Sequence, residues 1–526
     1  MKGLPLGMST FSEIIEDDYI YVDKTRFIHE MVSRGKTYFL SRPRRFGKSL
    51  LISTLEELFK GNKELFKGLY IYDKWDWSEK HPVIYLDFGT REYDTPKQLK
   101  NSLISFIDRI ARDFSLELFE IDLPSKFNEL ISKIHEKTGK KVVVLIDEYD
   151  MPIVDCIKSI EIANKNRDIL SKFYKVLKAS DKYLRFIFLT GVSKFSKTSI
   201  FSGLNNITDI TLNFRYSMIC GYSQIELENY FREYIDEFAK ANNISRENLL
   251  SDIREWYDGY SWDGENHLYN PYSILSLFND GEFANYWFET GTPSFLMNFI
   301  KNNKEDVGVL FKSDTKISGN FPSFNLENID FTTLLLQTGY LTIKNKKVNI
   351  GELTKYDLAI PNKEVRQSLF TSIISEFSNQ DHESIDTLGK KILKAIANLD
   401  NQLLQDAFDT LTSNIPAILY GNIKKNIREA NWHILLLSWF SLMGFFTVGE
   451  KPSSYGTADI VLKKDNLIII CELKYSEKKA LKELAIKAVK QIKDNEYYKP
   501  YLNYEVVLLG IAFGDREVKT HIETIK

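Results

Sequence analysis

The run Val142-Val143-Val144-Leu145-Ile146-Asp147-Glu148 constrains this chain more than any other. Five consecutive apolar residues, mostly β-branched, suit a strand buried on both faces, as in the interior of a parallel sheet. Parallel neighbours need crossover connections, usually helices, so the run commits this part of the chain to an α/β layer fold. Two acids follow at its carboxyl end, which is where open α/β sheets bind ligands. Burying two carboxylates there is costly unless a cation or water answers them. Taken alone, the run could also be a strand that ends in a solvated acidic turn.

A second segment supplies what such an acidic strand end would serve. Tyr38-Phe39-Leu40 reads as a short buried strand, and Ser41-Arg42-Pro43-Arg44-Arg45-Phe46-Gly47-Lys48-Ser49-Leu50 follows it. Gly47-Lys48-Ser49 opens a helix, whose first N–H groups and positive dipole end suit an anion. In a phosphate-binding loop the lysine reaches the β- and γ-phosphates and the hydroxyl sits on Mg²⁺. The usual pattern has a glycine where this chain has Arg42. The candidate nucleotide-binding residues are Arg44, Arg45, Phe46, Gly47, Lys48, Ser49 and Leu50, with Ser49 and Asp147 as Mg²⁺ ligands. Glu148 is the candidate base for the attacking water. A third strand, Leu184–Leu189, ends in Thr190-Gly191-Val192-Ser193; Thr190 is placed to sense the γ-phosphate, or else simply caps its strand.

Strand and helix patterns alternate from residue 1 to about 215, with Ile20–Lys24 and Val83–Asp87 as further strands and a helix from Thr25. From Ser223 helical patterns dominate, opened by the capping box Ser223-Gln224-Ile225-Glu226. Two aromatic turn segments, Trp256–Tyr260 and Tyr269–Tyr272, read as packing motifs of a helical lid. A helix over Leu334–Gly339 followed by Tyr340–Lys344 and Tyr356–Ile360 fits a winged-helix-like unit or a plain hairpin.

Near the C-terminal end, Gly456–Leu462 and Leu467–Lys474 are two apolar runs joined by the polar turn Lys463-Lys464-Asp465-Asn466. With side chains alternating between faces, Glu472 and Lys474 point the same way, and folding the hairpin brings Asp459 to that end. Two carboxylates so close repel one another unless a divalent cation lies between them. A lysine beside them can position or deprotonate a water. That is the layout of metal-assisted phosphodiester hydrolysis, with Asp459, Glu472 and Lys474 catalytic and Asp459 and Glu472 on the metal. A surface hairpin with a Glu472–Lys474 ion pair is the alternative. A helix at about Ile427–Met443, a strand at Phe445–Val448, a helix at Lys478–Lys493 and a strand at Tyr504–Phe513 surround it. Helix, three strands, helix, strand is the core order of restriction-endonuclease-like folds.

Together the two halves resemble a bacterial family that joins an AAA-ATPase-like module to a C-terminal PD-(D/E)XK nuclease-superfamily module. The resemblance rests on Tyr21–Thr25, Ser41–Ser49, Asp147–Asp150, Thr190–Ser193, Trp256–Tyr260, Tyr269–Pro271 and Thr290–Pro293. It implies ATP and Mg²⁺ at the loop, and it places Glu429, His433 and Gln491 on the helices flanking the acidic hairpin. The expected fold class is α/β: a P-loop NTPase parallel sheet with a helical lid, then a restriction-endonuclease-like α/β domain. The expected domains are 1–215 for the ATPase-like part, 216–310 for the lid, 311–384 for a linking region and 385–526 for the nuclease-like part. The expected activity is ATP hydrolysis coupled to a Mg²⁺-dependent nuclease acting on nucleic acid, in the first instance DNA. An ATP-driven switch that binds nucleic acid or a partner without cutting stays open, as does a homo-oligomer.

Gross composition adds limits. The 526 residues carry a net charge of −3, so nucleic-acid binding must use local patches. Cys156, Cys220 and Cys471 are scattered, which suits a reducing cytoplasm and gives no zinc spacing. No leader peptide is recognisable at Met1, and the most apolar helix-like stretch, Trp432–Phe446, is too short to span a bilayer and carries His433, Ser438 and Ser441; no membrane association is expected.

Overall fold

This computed structural model describes residues 1–157, 159–194, 200, 204, 206–289, 296–297, 300, 310–311, 315–318, 330–348, 352–378, 380–413, 425–447, 458–476, 480–514 and 517–525. The chain divides into two compact units. The first holds Met1–Gly291 and Lys316–Lys363, and the second holds Thr292–Thr315 and Glu364–Lys526.

The first unit is built on strands β1 (Thr37–Ser41), β2 (Val83–Asp87), β3 (Val142–Asp147), β4 (Leu184–Gly191) and β5 (Thr208–Asp209). Their order across the sheet is β2-β3-β4-β1-β5, and β1 through β5 pair in parallel. Every residue of β3 is buried, as its unbroken apolar run requires. β4 lies between β1 and β3, so Thr190 stands at the strand end between the phosphate loop and the two acids. The helices Lys48–Lys60, Pro96–Asp113, Leu123–Thr138 and Ile160–Ala179 each bury one apolar stripe. Asp122 and Thr95 cap two of them by accepting from backbone N–H groups.

The stretch from Ser223, read as a lid, is helical. The Ser223–Glu226 capping box is present in full and starts the helix Gln224–Tyr230. Arg232–Ala241, Arg246–Tyr257 and Pro271–Asp280 follow, around a core that includes Phe231, Ile235, Ile253, Tyr257 and Ile274. Beyond them a helix, Phe331–Thr338, precedes β7 (Thr342–Lys347) and β8 (Lys355–Ala359), with β8 between β7 and β6 (Thr315–Ser318).

The second unit carries the helices Lys363–Ser378, His382–Ala397, Asn401–Ser413, Lys425–Leu442 and Leu481–Asp494. Its sheet has the order β13-β12-β11-β10-β9, from β9 (Phe446–Thr447), β10 (Ile460–Lys464), β11 (Leu467–Tyr475), β12 (Glu505–Phe513) and β13 (Val518–Thr524). β10 and β11 form the expected antiparallel hairpin, and β11 pairs with β12 in parallel across the Leu481–Asp494 crossover. The strand β13 is an addition to the sequence reading. Its alternation of Val518, Thr520 and Ile522 with Lys519 and His521 is a period-2 signal that a strand search finds. Asn401 and Gln405 pair their amides with the backbone of Ile522, Val518 and Thr520, which occupies the outer edge of β13. Val448, Lys478, Gly456, Thr457 and the Thr290–Pro293 motif lie outside the described residues.

No helix among the described residues is long and apolar enough to cross a membrane.

Candidate nucleotide site and acidic hairpin

Gly47 has φ 86° and immediately precedes the Lys48–Lys60 helix, and no side chain caps its first N–H groups. A Cβ at Gly47 would meet nothing within 4 Å, so glycine is needed there for its backbone angle and the space above it is open. Lys48 is 6% exposed, and its ammonium donates to the carbonyls of Arg42 (3.1 Å) and Pro43 (3.0 Å). Burial pulls its pKa below the ordinary lysine value, against the opposing charges of Asp147, Glu148 and Asp150. The Ser49 hydroxyl, on a partly exposed residue one position on, has no hydrogen-bond partner among the described residues; Leu50 beside it is also partly exposed.

Arg42 is fully buried and does not face the loop's open side. Its guanidinium donates to the carbonyls of Ser41 (2.8 Å), Thr211 (2.8 Å) and Tyr216 (3.3 Å) and lies 4.0 Å over Trp262. Burial pulls its pKa down to about 10. The residue that replaces the usual glycine is therefore a brace that ties the loop to later segments. The rest of the loop is held likewise. Phe46 packs edge-on against Tyr260 (4.8 Å) and Trp262 (5.2 Å), Arg45 (φ 67°) lies 4.4 Å over Tyr272, and the Arg44 carbonyl accepts from Trp287 Nε1 at 3.2 Å. The aromatic turn segments pack on the phosphate loop itself. Arg44 and Arg45 are exposed.

At the acidic strand end, Asp147 is buried and its Oδ1 accepts from the Thr190 hydroxyl (2.5 Å) and the Glu148 N–H (3.0 Å). Glu148 has φ 51°, a left-handed backbone angle that costs energy for a residue other than glycine. Burial and then the Asp147 charge push the Glu148 carboxyl above its ordinary range, while Lys48 opposes them. Gly89 makes room for it: a Cβ there would fall 2.2 Å from Glu148 Oε2. Asp150 closes the same acidic motif. It is buried and accepts from the Ser193 and Val192 N–H groups at 2.6 and 3.3 Å, fastening the acidic turn to the segment after Thr190. Asp87 stands in register with Asp147, so the acids at this strand end outnumber Lys48, although no three of them are assembled for a metal among the described residues. Arg215, a candidate trans-acting arginine by sequence, is exposed and paired with Glu30 at 3.4 Å.

Sequence reading gave no role to Lys24. It is buried, and its ammonium lies 2.7 Å from both carboxylate oxygens of Glu226 in the lid's capping box. The Tyr21–Thr25 motif carried the signal, but the partner is far along the chain.

In the second unit, Asp459 Oδ2 accepts from the Leu473 N–H at 2.7 Å, so the hairpin brings Asp459 to the end where Glu472 and Lys474 stand. Glu472 is 3% exposed. Its Oε1 accepts from Lys474 Nζ (3.0 Å) and from Gln491 Nε2 (2.6 Å), while its Oε2 is buried with no hydrogen-bond partner among the described residues. Burial first and Asp459 second push its carboxyl above the ordinary range. Burial holds the His433 ring below its ordinary value, with the Asp459 charge opposing. The side chain of Glu429 lies outside the described residues. Among the described residues no group of three or more His, Cys, Asp and Glu side chains is assembled for a metal. The orphaned Glu472 Oε2 and the neighbouring Asp459 carboxylate are nevertheless a fit for one cation. Gln491 reaches Glu472 because Gly510, in register with Glu472, lets the Leu481–Asp494 helix approach; a Cβ at Gly510 would fall 2.0 Å from the Ala485 carbonyl oxygen.

Fold and sites define a two-module protein, an ATPase-like parallel-sheet unit followed by a nuclease-like mixed-sheet unit. Residues 5–201 match the model of a predicted AAA-ATPase family, and residues 427–523 match that of the PD-(D/E)XK nuclease superfamily. A relative from Azotobacter chroococcum mcd 1, described as an uncharacterized protein in the vnfD 5' region, is 37% identical over 519 residues, covering 98% of this chain and 96% of that one. The chain belongs to this family, in which a predicted AAA-ATPase module and a PD-(D/E)XK module share one polypeptide.

Proposed function

We propose that the chain binds and hydrolyses ATP at the Arg44–Leu50 loop and couples turnover to a metal-dependent nuclease acting on DNA in the cytoplasm. The observation that carries the reading is the convergence of Lys48 with Asp147 and Glu148 at one end of the parallel sheet. In this reading Lys48 and the uncapped N–H groups bind the β- and γ-phosphates, and Arg44 lies alongside them. Ser49 and Asp147 would hold Mg²⁺, which would supply neutralisation of phosphate charge. Thr190 fixes the Asp147 carboxylate. Glu148 takes the proton from the attacking water, a task its raised carboxyl suits. At the hairpin, Asp459 and Glu472 would hold a divalent cation, which would supply Lewis-acid activation, and Gln491 orients Glu472. Lys474 positions the water.

A second reading keeps the ATP switch and removes the cutting. It is favoured by the same Lys474 and Gln491 contacts that occupy Glu472 Oε1, and by the lack of a preassembled metal-ligand group among the described residues. The test is ATP turnover with and without DNA, alongside cleavage of plasmid with Mg²⁺ or Mn²⁺. Lys48→Ala is expected to lose nucleotide binding, and Glu148→Gln to bind but hardly turn over. Full ATP affinity in Lys48→Ala refutes the loop assignment. A protein that turns over ATP and cuts nothing under any metal condition leaves the switch reading.

A further inference from the structure

Outside both sites, the β7–β8 hairpin carries a charge arrangement that its own fold does not explain. β7 is an edge strand and holds Lys344, Lys346 and Lys347; β8 lies inside the sheet and holds Lys355. The register sets Lys347 directly across from Lys355. Like charges so placed destabilise a strand pair. Their compensation is thin: Lys347 lies 3.9 Å from the half-buried Asp357, at the limit of an ion pair, and Lys355 lies 3.4 Å from Glu352 in an exposed pair of little energetic weight. Lys344 and Lys346 have no acidic partner among the described residues. Lysines on an edge guard against strand addition, which accounts for those on β7 but not for Lys355 on the inner strand.

The base of this hairpin is joined to the phosphate loop. The Thr342 hydroxyl accepts from the Ser261 N–H at 2.7 Å and donates to the Ser261 carbonyl at 3.2 Å. The Lys346 backbone closes on Gly264, where a Cβ would fall 2.7 Å from its nitrogen. The residue after Ser261 is Trp262, which packs against Phe46 and carries the Arg42 guanidinium. A load on the hairpin thus has a short packed route to the loop that holds Lys48.

We propose that the lysines of strands β7 and β8 are where the ATPase unit grips the DNA phosphate backbone, and that the Thr342–Ser261–Trp262–Arg42 connection makes ATP turnover responsive to that grip. The inference rests on the reading that the protein acts on DNA. Lysine contacts to phosphate are independent of sequence and dependent on salt.

The test uses the full chain carrying Asp459→Ala, so that bound DNA is not cut, and a fluorescently labelled duplex followed by anisotropy across a salt series. Lys344→Glu, Lys347→Glu and Lys355→Glu combined are expected to weaken binding at least tenfold and to flatten the salt slope by roughly 3, from about 0.9 per lost phosphate contact. Stimulation of ATP hydrolysis by the duplex should vanish, with hydrolysis in its absence unchanged. Thr342→Val should bind the duplex like the parent and lose the stimulation. If the parent binds duplex and the triple variant matches it in affinity and slope, the inference fails and the wider reading stands. The same conclusion follows if the triple variant self-associates on a sizing column while binding normally, which makes the lysines edge guards. Undiminished stimulation in Thr342→Val overturns the connection. A parent that binds no duplex removes the wider reading and the inference with it.

Discussion

Gly89→Ala acts chiefly on the geometry of the proposed base, with a lesser contact at 3.2 Å from Asp87 Oδ1. The new Cβ would stand 2.2 Å from Glu148 Oε2 and 3.0 Å from its Cδ. Non-bonded heavy atoms rest near 3.5 Å, so the carboxylate must retreat by roughly 1.3 Å. Gly89 is exposed and its backbone is not left-handed, so alanine is tolerated and folding stability should hold within about 0.5 kcal/mol. A displacement near 1 Å in a reacting group costs about 100-fold, and that is the expected fall in kcat, about 2.7 kcal/mol of barrier. The assay is steady-state ATP hydrolysis with nucleotide affinity from a fluorescent analogue and Tm as a fold control. Affinity and Tm should match the parent. Adding Gly89→Ala to Glu148→Gln should cost nothing further, because both act on one carboxylate. Wild-type kcat in Gly89→Ala, or full additivity in the pair, would refute the assignment of Glu148 as base.

Glu148 has a folded pKa raised above 4.5, so folding penalises its charged form at neutral pH and not below the unfolded value. Glu148→Gln should therefore raise Tm near neutrality and lose that gain as the pH falls through the folded pKa toward 4.5; a gain independent of pH contradicts the cause given. Restoring the customary glycine, Arg42→Gly, removes hydrogen bonds from a buried charged donor worth about 1.5–3 kcal/mol each. It should destabilise the first unit by about 3 kcal/mol or more in chemical denaturation, and an equally stable variant would show that the brace bears no load. Asp459→Ala should abolish divalent-ion binding seen by calorimetry. Lys474→Ala should keep that binding and lose cleavage, since an ammonium cannot ligate a cation; cutting at the parental rate counts against its role.

Where local chemistry set the structure, the residues announced it. The apolar run of β3 had to be interior, Gly47-Lys48-Ser49 had to turn into a helix, and the polar turn after Leu462 had to fold a hairpin. Asp459, Glu472 and Lys474 met at one end because strand alternation left them no other arrangement. What stayed hidden was set by partners distant in sequence. Arg42 is a brace because Thr211, Tyr216 and Trp262 surround it, and no pattern near residue 42 encodes that. Lys24 finds Glu226 across the seam between core and lid. The insertion of β4 between β1 and β3 is a choice of topology, and the strand sequences fit either order. β13 is legible in the alternation of Val518, Thr520 and Ile522 with Lys519 and His521.

Gly510 sets a tolerance rather than a contact. The Leu481–Asp494 helix rests on bare backbone there, so the height of Gln491 above Glu472 is fixed by a missing atom. A single methyl group at that spot would act as a shim under the helix, lifting the amide out of reach while leaving all three proposed catalytic side chains intact. A natural variant altered there would pass inspection at every motif position and still hold its acid out of true.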